Sequence, residues 1–153
     1  MAQTYISING EMRDASSLTL PPEGRLLRGA WVFNGDVIDI DPAKSKEILT
    51  DKIRQEGAER LQSIAADYSE AERETWPTQI EDAEALKANP NAAAPLVRSL
   101  ATADSITPDA MADAILAKRA AYRAAAAVIL AKQRTLLAMD PIPTDFDHDK
   151  WWM

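Results

Sequence analysis

The sequence predicts a mainly α fold with a small N-terminal β-hairpin region, an elongated helical hairpin or bundle, and an extended C-terminal tail. Three observations predict it. Apolar residues recur at helical spacing in two long stretches, Leu49, Ile53, Leu61, Ile64 and Tyr68 in one and Ile115, Tyr122, Ile129 and Leu136 in the other. Asn-Gly pairs at 9–10 and 34–35 sit within strand-prone runs. The run Asp140-Pro141-Ile142-Pro143 cannot continue a helix. The 153 residues make one domain, or a small domain with appendages. Their linear division is a strand-rich region over 1–41, a helical domain over 42–139 and an anchor tail over 140–153. Alanine supplies much of the hydrophobic content, so thin helices with narrow seams are expected rather than one thick core.

The first strand is expected at Tyr5-Ile6-Ser7-Ile8, which alternates before Asn9-Gly10, with Ser16 to Leu20 as its short partner. Pro21-Pro22 stops that partner. A second hairpin is clearer: Trp31-Val32-Phe33, the turn pair Asn34-Gly35, then Val37-Ile38-Asp39-Ile40. A lone hairpin is marginal in water. Trp31 and Phe33 are therefore the expected anchors that bind it to something else.

Asp41-Pro42 opens a helix, because the aspartate can accept from free amides and proline at the first position gives up no needed donor. It is expected to run to about Tyr68. Gly57 falls on its apolar face, where it lets another backbone approach closely. Ser69-Glu70-Ala71-Glu72 fits a capping box for a second helix over Glu70 to about Lys87, with Trp76, Ile80, Ala83 and Leu86 as its stripe. Pro77 lies near enough to the start to be accommodated or to kink it. Asn89-Pro90-Asn91 breaks the chain, and Ala92 to Ala101 forms a short helix. Thr107-Pro108 then starts a long helix to about Met139. Ile115, Tyr122, Ile129 and Leu136 are spaced by seven, a seam that fits either an intramolecular partner or another subunit. In the tail, Phe146, Trp151 and Trp152 read as anchors that dock on the chain itself or on a partner.

Composition excludes much chemistry. With no cysteine and one histidine, thiol nucleophiles, disulfides and multi-histidine metal centres within one chain are out. A net charge of -7 argues against a broad nucleic-acid footprint, although Lys118, Arg119, Arg123, Lys132 and Arg134 make the last helix locally basic. No apolar run approaches a membrane span, and the N-terminus has no secretion signal, so synthesis in the cytosol is expected. Asp145, Asp147, His148 and Asp149 could supply metal ligands, but no glycine shapes the loop a calcium site needs. Glu70, Glu72 and Glu74 scatter around a helix axis rather than converging on a substrate. His148 has no recognisable nucleophile turn beside it. The five glycines do not cluster into a phosphate loop. No enzyme, cofactor or metal is expected.

The segment Tyr68-Ser69-Glu70-Ala71-Glu72-Arg73-Glu74-Thr75-Trp76-Pro77-Thr78-Gln79 continues through Glu81, Ala83, Ala85, Asn89-Pro90 and Ala94-Pro95-Leu96. It resembles a helical module of tail proteins from tailed bacteriophages and prophages. Ala121-Tyr122, Ile129 and Leu136 match how that module ends. The run Leu26-Leu27-Arg28-Gly29-Ala30-Trp31 with the Gly35-Asp36-Val37 return resembles the strand-rich piece that precedes it. The resemblance spans residues 1–139 unevenly and does not reach the tail. It implies a non-enzymatic structural protein of the virion tail, made in the bacterial cytoplasm, linking tail fibre and baseplate or tail tip. The alternative it implies is a tail or tail-fibre assembly chaperone not retained in the virion. Partners would be other phage tail proteins, with a homo-oligomer, a trimer by fibre analogy, and neither nucleic acid nor membrane. It carries Tyr68, Trp76 and Tyr122 over as packing residues and Trp31 as the hairpin anchor.

Overall fold

The computed structural model of the protein describes residues 4–153. It is mainly helical, with a small N-terminal β region. Strands β1 (Tyr5–Ile8) and β2 (Glu11–Asp14) form one antiparallel hairpin, and β3 (Trp31–Asn34) and β4 (Val37–Ile40) form a second. Helices follow at α1 (Pro42–Ile64), α2 (Glu70–Ala88), α3 (Pro95–Ala103) and α4 (Pro108–Leu137).

The partner of β1 is β2 and not Ser16 to Leu20. Asn9 and Gly10 both take positive φ, 51° and 84°, so the two-residue turn pairs its immediate neighbours and leaves no room for a distant partner. Asp14 then accepts from the Ser16 amide and hydroxyl, both at 2.9 Å, and winds Ala15–Ser17 into a 3-10 turn. Thr19 alone meets β4, donating to the Asp36 carbonyl and accepting from the Ile38 amide. Ile6, Trp31 and Ile38 are the buried centre of this region, with Phe33 packed against it half-exposed. The Arg13 guanidinium lies 4.4 Å above the Phe33 ring and also donates to the Gly35 carbonyl, tying the hairpins together. Arg28 covers the Trp31 face at 4.8 Å, while the buried Trp31 indole N–H has no acceptor among the described residues.

Three helix starts form at the predicted caps, although of the capping box at Ser69 the described residues make only the serine half. Asp41 accepts from the amides of Ala43 and Lys44, Ser69 from Glu72, and Thr107 from Ala110. Helix α2 continues through Pro77, where only the Arg73 carbonyl loses an intrahelical donor. Boundaries differ in detail. Helix α1 stops at Ile64 and not at Tyr68, because the chain unwinds through turns before the Ser69 cap. Helix α3 begins at Pro95 and not at Ala92. Ala94 takes a left-handed conformation at its cap, and Arg98 reaches back to the carbonyls of Pro90, Ala92 and Ala93, holding that stretch as a loop. Helix α4 ends at Leu137, two residues short of Met139.

The chain falls into two compact units. One comprises Met1–Ala58 with Ala131–Met153, and the other Glu59–Leu130. These boundaries fall inside α1 and α4, whereas the changes of local structure along the sequence fall near 41 and 139. In the first unit, the side chain of Ile48 packs against Gly29. Leu27, Ala30, Leu49, Ile53, Leu136, Ile142, Phe146 and Trp152 are buried. In the second unit, Ala83, Leu86, Ala94, Val97, Ala101, Met111, Ala112 and Ile115 form a continuous core. Asp82 of α2 accepts from the Leu96 and Val97 amides at 2.9 and 3.3 Å, so a neighbouring helix caps α3. Lys87 bridges Asp109 and Asp113 of α4 at 3.0 and 2.8 Å.

Candidate functional site

The apolar stripe of α2 serves two purposes. Ala83 and Leu86 enter the core of the second unit, but Ile80 and Trp76, about one and two turns earlier, are only half-buried. They face a groove of about 280 Å³ lined by Ile64, Tyr68, Trp76, Gln79, Ile80, Ile115, Lys118, Arg119, Ala121, Tyr122 and Ala125. Three aromatic rings form one run along it. Tyr68 meets Trp76 edge to face at 5.1 Å between centroids, and Trp76 meets Tyr122 likewise at 5.7 Å. Such pairs prefer this T-shape because the positive ring edge meets the negative face. Ile64, Ile80, Ile115, Ala121 and Ala125 supply the aliphatic surface between them, and the alanines leave the space that larger residues would fill.

Two cations belong to the same lining. The Lys118 ammonium sits 4.8 Å above the Tyr68 ring, and no carboxylate among the described residues pairs with it. Arg119 bonds Glu84 of α2 at 2.6 Å, which fixes its guanidinium beside the groove. Gln79 is held by the Thr75 hydroxyl at 2.9 Å. The lining contains no acidic side chain. The geometry can therefore take up an apolar group and favours negative charge near its mouth.

The structure brings three of the sequence-predicted residues together here, Tyr68, Trp76 and Tyr122, and Ile115 reaches the groove from the core. Tyr122 is the open position of the seven-residue seam, because Ile115, Ile129 and Leu136 are all buried while Tyr122 is 36% exposed. Trp31 and Phe33 lie in the strand region, away from this set in sequence and within the other unit. Lys118 and Arg119 stood out in the sequence only as part of a basic stripe. The signal for their role was the four-residue step from Lys118 to Tyr122, which puts both on one helix face. Ile80 and Ile64 carried no sign beyond helical spacing, and Gln79 none beyond its place in the Tyr68–Gln79 string.

The tail is built differently. Phe146 and Trp152 are buried in the first unit, and the Trp152 indole donates to the Phe146 carbonyl at 2.7 Å. Its ring edge lies 3.6 Å from where a Cβ on Gly57 would sit, and the Gln133 side chain occupies the rest of that notch. So Gly57 admits two side chains and not a neighbouring backbone. Trp151 is half-exposed and donates to Asp145 at 3.0 Å. Lys150 pairs with Asp145 at 2.7 Å. The Lys150 ammonium and the Trp151 indole hold the Asp145 carboxyl below its ordinary range. His148 accepts from the Lys150 amide and caps the 3-10 turn Asp149–Trp151. Phe146 and Trp152 thus dock in cis, while Trp151 stays at the surface of the tail.

Among the described residues, no three histidine, aspartate or glutamate side chains gather as a metal cage, and no helix is long and apolar enough to cross a membrane. No family model, curated protein or solved structure matches the chain.

Proposed function

We propose that the protein is a bacteriophage tail component with no chemistry of its own, and that it works by holding another tail protein in the aromatic groove. The observation that carries this reading is where the Tyr68–Gln79 segment goes. That string bears the resemblance to phage tail modules, and it places Tyr68, Trp76 and Gln79 on an accessible surface instead of in a core. Large aromatic side chains on an accessible, concave surface are what a partner's anchoring residues use. In this reading the chain stays in the virion tail and links fibre to baseplate or tail tip, as a homo-oligomer with threefold symmetry.

One observation favours the second reading, an assembly chaperone that leaves before the particle is complete. A permanent link needs two grips, and the tryptophan tail, one of the two expected, is folded against its own chain. A single open groove suits a client that is held and then released.

Mass spectrometry of purified particles, with copy number, tests both. Presence in a multiple of three supports the link. Absence from particles whose tails fail to form when the chain is deleted supports the chaperone. Normal, infective tails without the chain would overturn the tail reading altogether.

A further inference from the structure

We infer that the groove seats one bulky apolar side chain of a partner polypeptide whose neighbouring residues are acidic. This deepens the docking role proposed above and rests on the groove being a docking surface.

The groove is small. At about 280 Å³ it lies at the lower edge of the roughly 300–1,000 Å³ of sites that enclose cofactors and drug-sized molecules. A single large side chain fits within it. The aromatic run and its aliphatic surface give that side chain an apolar seat, and Trp76, held by a ring on either side, is already oriented. A partner residue entering here would bury apolar area without reordering the walls, which is where binding hot spots lie.

Charge chooses the flanks. Residues 59–130 carry 11 acidic and 7 basic side chains, so the unit as a whole is negative. Yet the groove lining has no acid and two cations, of which Arg119 is paired with Glu84 and Lys118 is not, and Arg123 follows Arg119 by one helical turn and is exposed. A cationic or quaternary ammonium group would meet Lys118 beside the Tyr68 ring and be repelled, although an aromatic cage without that lysine would attract it. An acidic flank instead finds Lys118, which pairs with no carboxylate among the described residues, and Arg123 along the same helix. Such complementary charge fixes the register of the segment and speeds its encounter.

The test uses the whole chain and two fluorescein-labelled peptides with a central Phe-Leu pair, one flanked by Glu and Asp and the other by Lys and Arg. Anisotropy should show the acidic peptide binding at least about tenfold tighter than the basic one. Its addition should shift the Trp76 indole resonance, assigned by Trp76→Phe. Raising NaCl from about 50 mM to about 500 mM should weaken it, since exposed charges are then screened within a few ångströms. Lys118→Glu with Arg123→Glu, both at exposed positions, should cost about tenfold or more with the circular dichroism spectrum unchanged. Equal or tighter binding of the basic peptide, binding that leaves Trp76 unmoved, or no binding of either peptide would overturn the inference. The two proposals fail separately. Tails that need the chain, with no acidic preference at the groove, would remove only this inference. An acidic preference with tails indifferent to the chain would remove only the tail assignment.

Discussion

Trp152 and Trp76 belong to different units and have opposite fates. Trp152 is 3% exposed, bonded through its indole, and fitted to a notch that Gly57 leaves open. Trp76 stands half-exposed between two tyrosines with a groove before it. The residue type is the same, although the sequence predicts an anchor at Trp152 and a packing residue at Trp76. What differs is the counterpart. The first unit contains a residue with no side chain opposite the indole, and the chain supplies its own knob and hole. The second has small residues, Ala121 and Ala125, in the same groove lining as the ring, and the chain supplies no knob. An anchor whose hole is in its own chain contributes to folding, and one without it is left for a partner.

The largest effect that could break this contrast is on stability. Trp152→Ala should cost roughly 3–5 kcal/mol, the range for removing a large buried aromatic, and urea unfolding would read it. Trp76→Ala should cost less, because part of its surface is already wet, while removing the groove's capacity to bind the acidic peptide. Equal losses of stability would show that the groove is an ordinary core with a gap. A smaller effect isolates the frame of the second unit. Asp82→Ala removes the cap on α3 and should cost about 1 kcal/mol, with the fold kept, as lost caps usually do. Thermal melting of this variant against Asp82→Asn, which keeps an acceptor, separates the cap from the charge.

The contrast also marks what could be read in advance. Three of the helices were legible because their starts carry their own signals: Asp41, Ser69 and Thr107 each accept from amides of the first turn, whereas α3 has no cap of its own and starts three residues later than expected. The second hairpin was legible in outline, but its two-residue turn is Gly35-Asp36 and not Asn34-Gly35, because Asn34 still pairs with Val37 and the positive φ falls on Gly35. The partner of β1 was misread because strand propensity in Ser16 to Leu20 is a weaker constraint than a two-residue turn at Asn9-Gly10. The aromatic members of the site, Tyr68, Trp76 and Tyr122, were visible as individuals and as packing residues. Their joint exposure was not, because helical spacing gives a face and not what covers it. Asp82 and Arg98 were invisible, since capping across 14 residues and clamping a loop of carbonyls depend on tertiary placement alone.

Gly57 sharpens the contrast from the side of the hole. Alanine is favoured over glycine in a helix by about 1 kcal/mol, but its Cβ would meet the Gln133 side chain. Gln133 is flexible, so Gly57→Ala should shift stability by less than about 1 kcal/mol, with the propensity gain offset by displacing the amide. Gly57→Ala combined with Gln133→Ala should then melt higher than Gly57→Ala alone. If the double variant melts lower, Gln133 is holding Trp152 in place rather than filling space beside it.

The smallest effect concerns the exposed side of the tail. Asp145 joins Lys150 and the Trp151 indole, and these hold its carboxyl below the ordinary value of about 3.9. A carboxyl lowered on folding stabilises the folded form at pH values above the unfolded value, and that contribution disappears as pH falls through the folded one. The group is solvent-exposed, so the effect on global unfolding should be slight. Its local signature should be clear. Trp151 fluorescence should change as the solution is acidified below about pH 4, while buried Trp152 keeps its emission until the unit unfolds. Asp145→Asn should remove this step at low pH and leave the Trp152 environment intact at neutral pH. If acid moved both tryptophans together in the native chain, the surface pairing would be part of what seats the buried anchor. The tail would then dock through its charges as much as through its fit to Gly57.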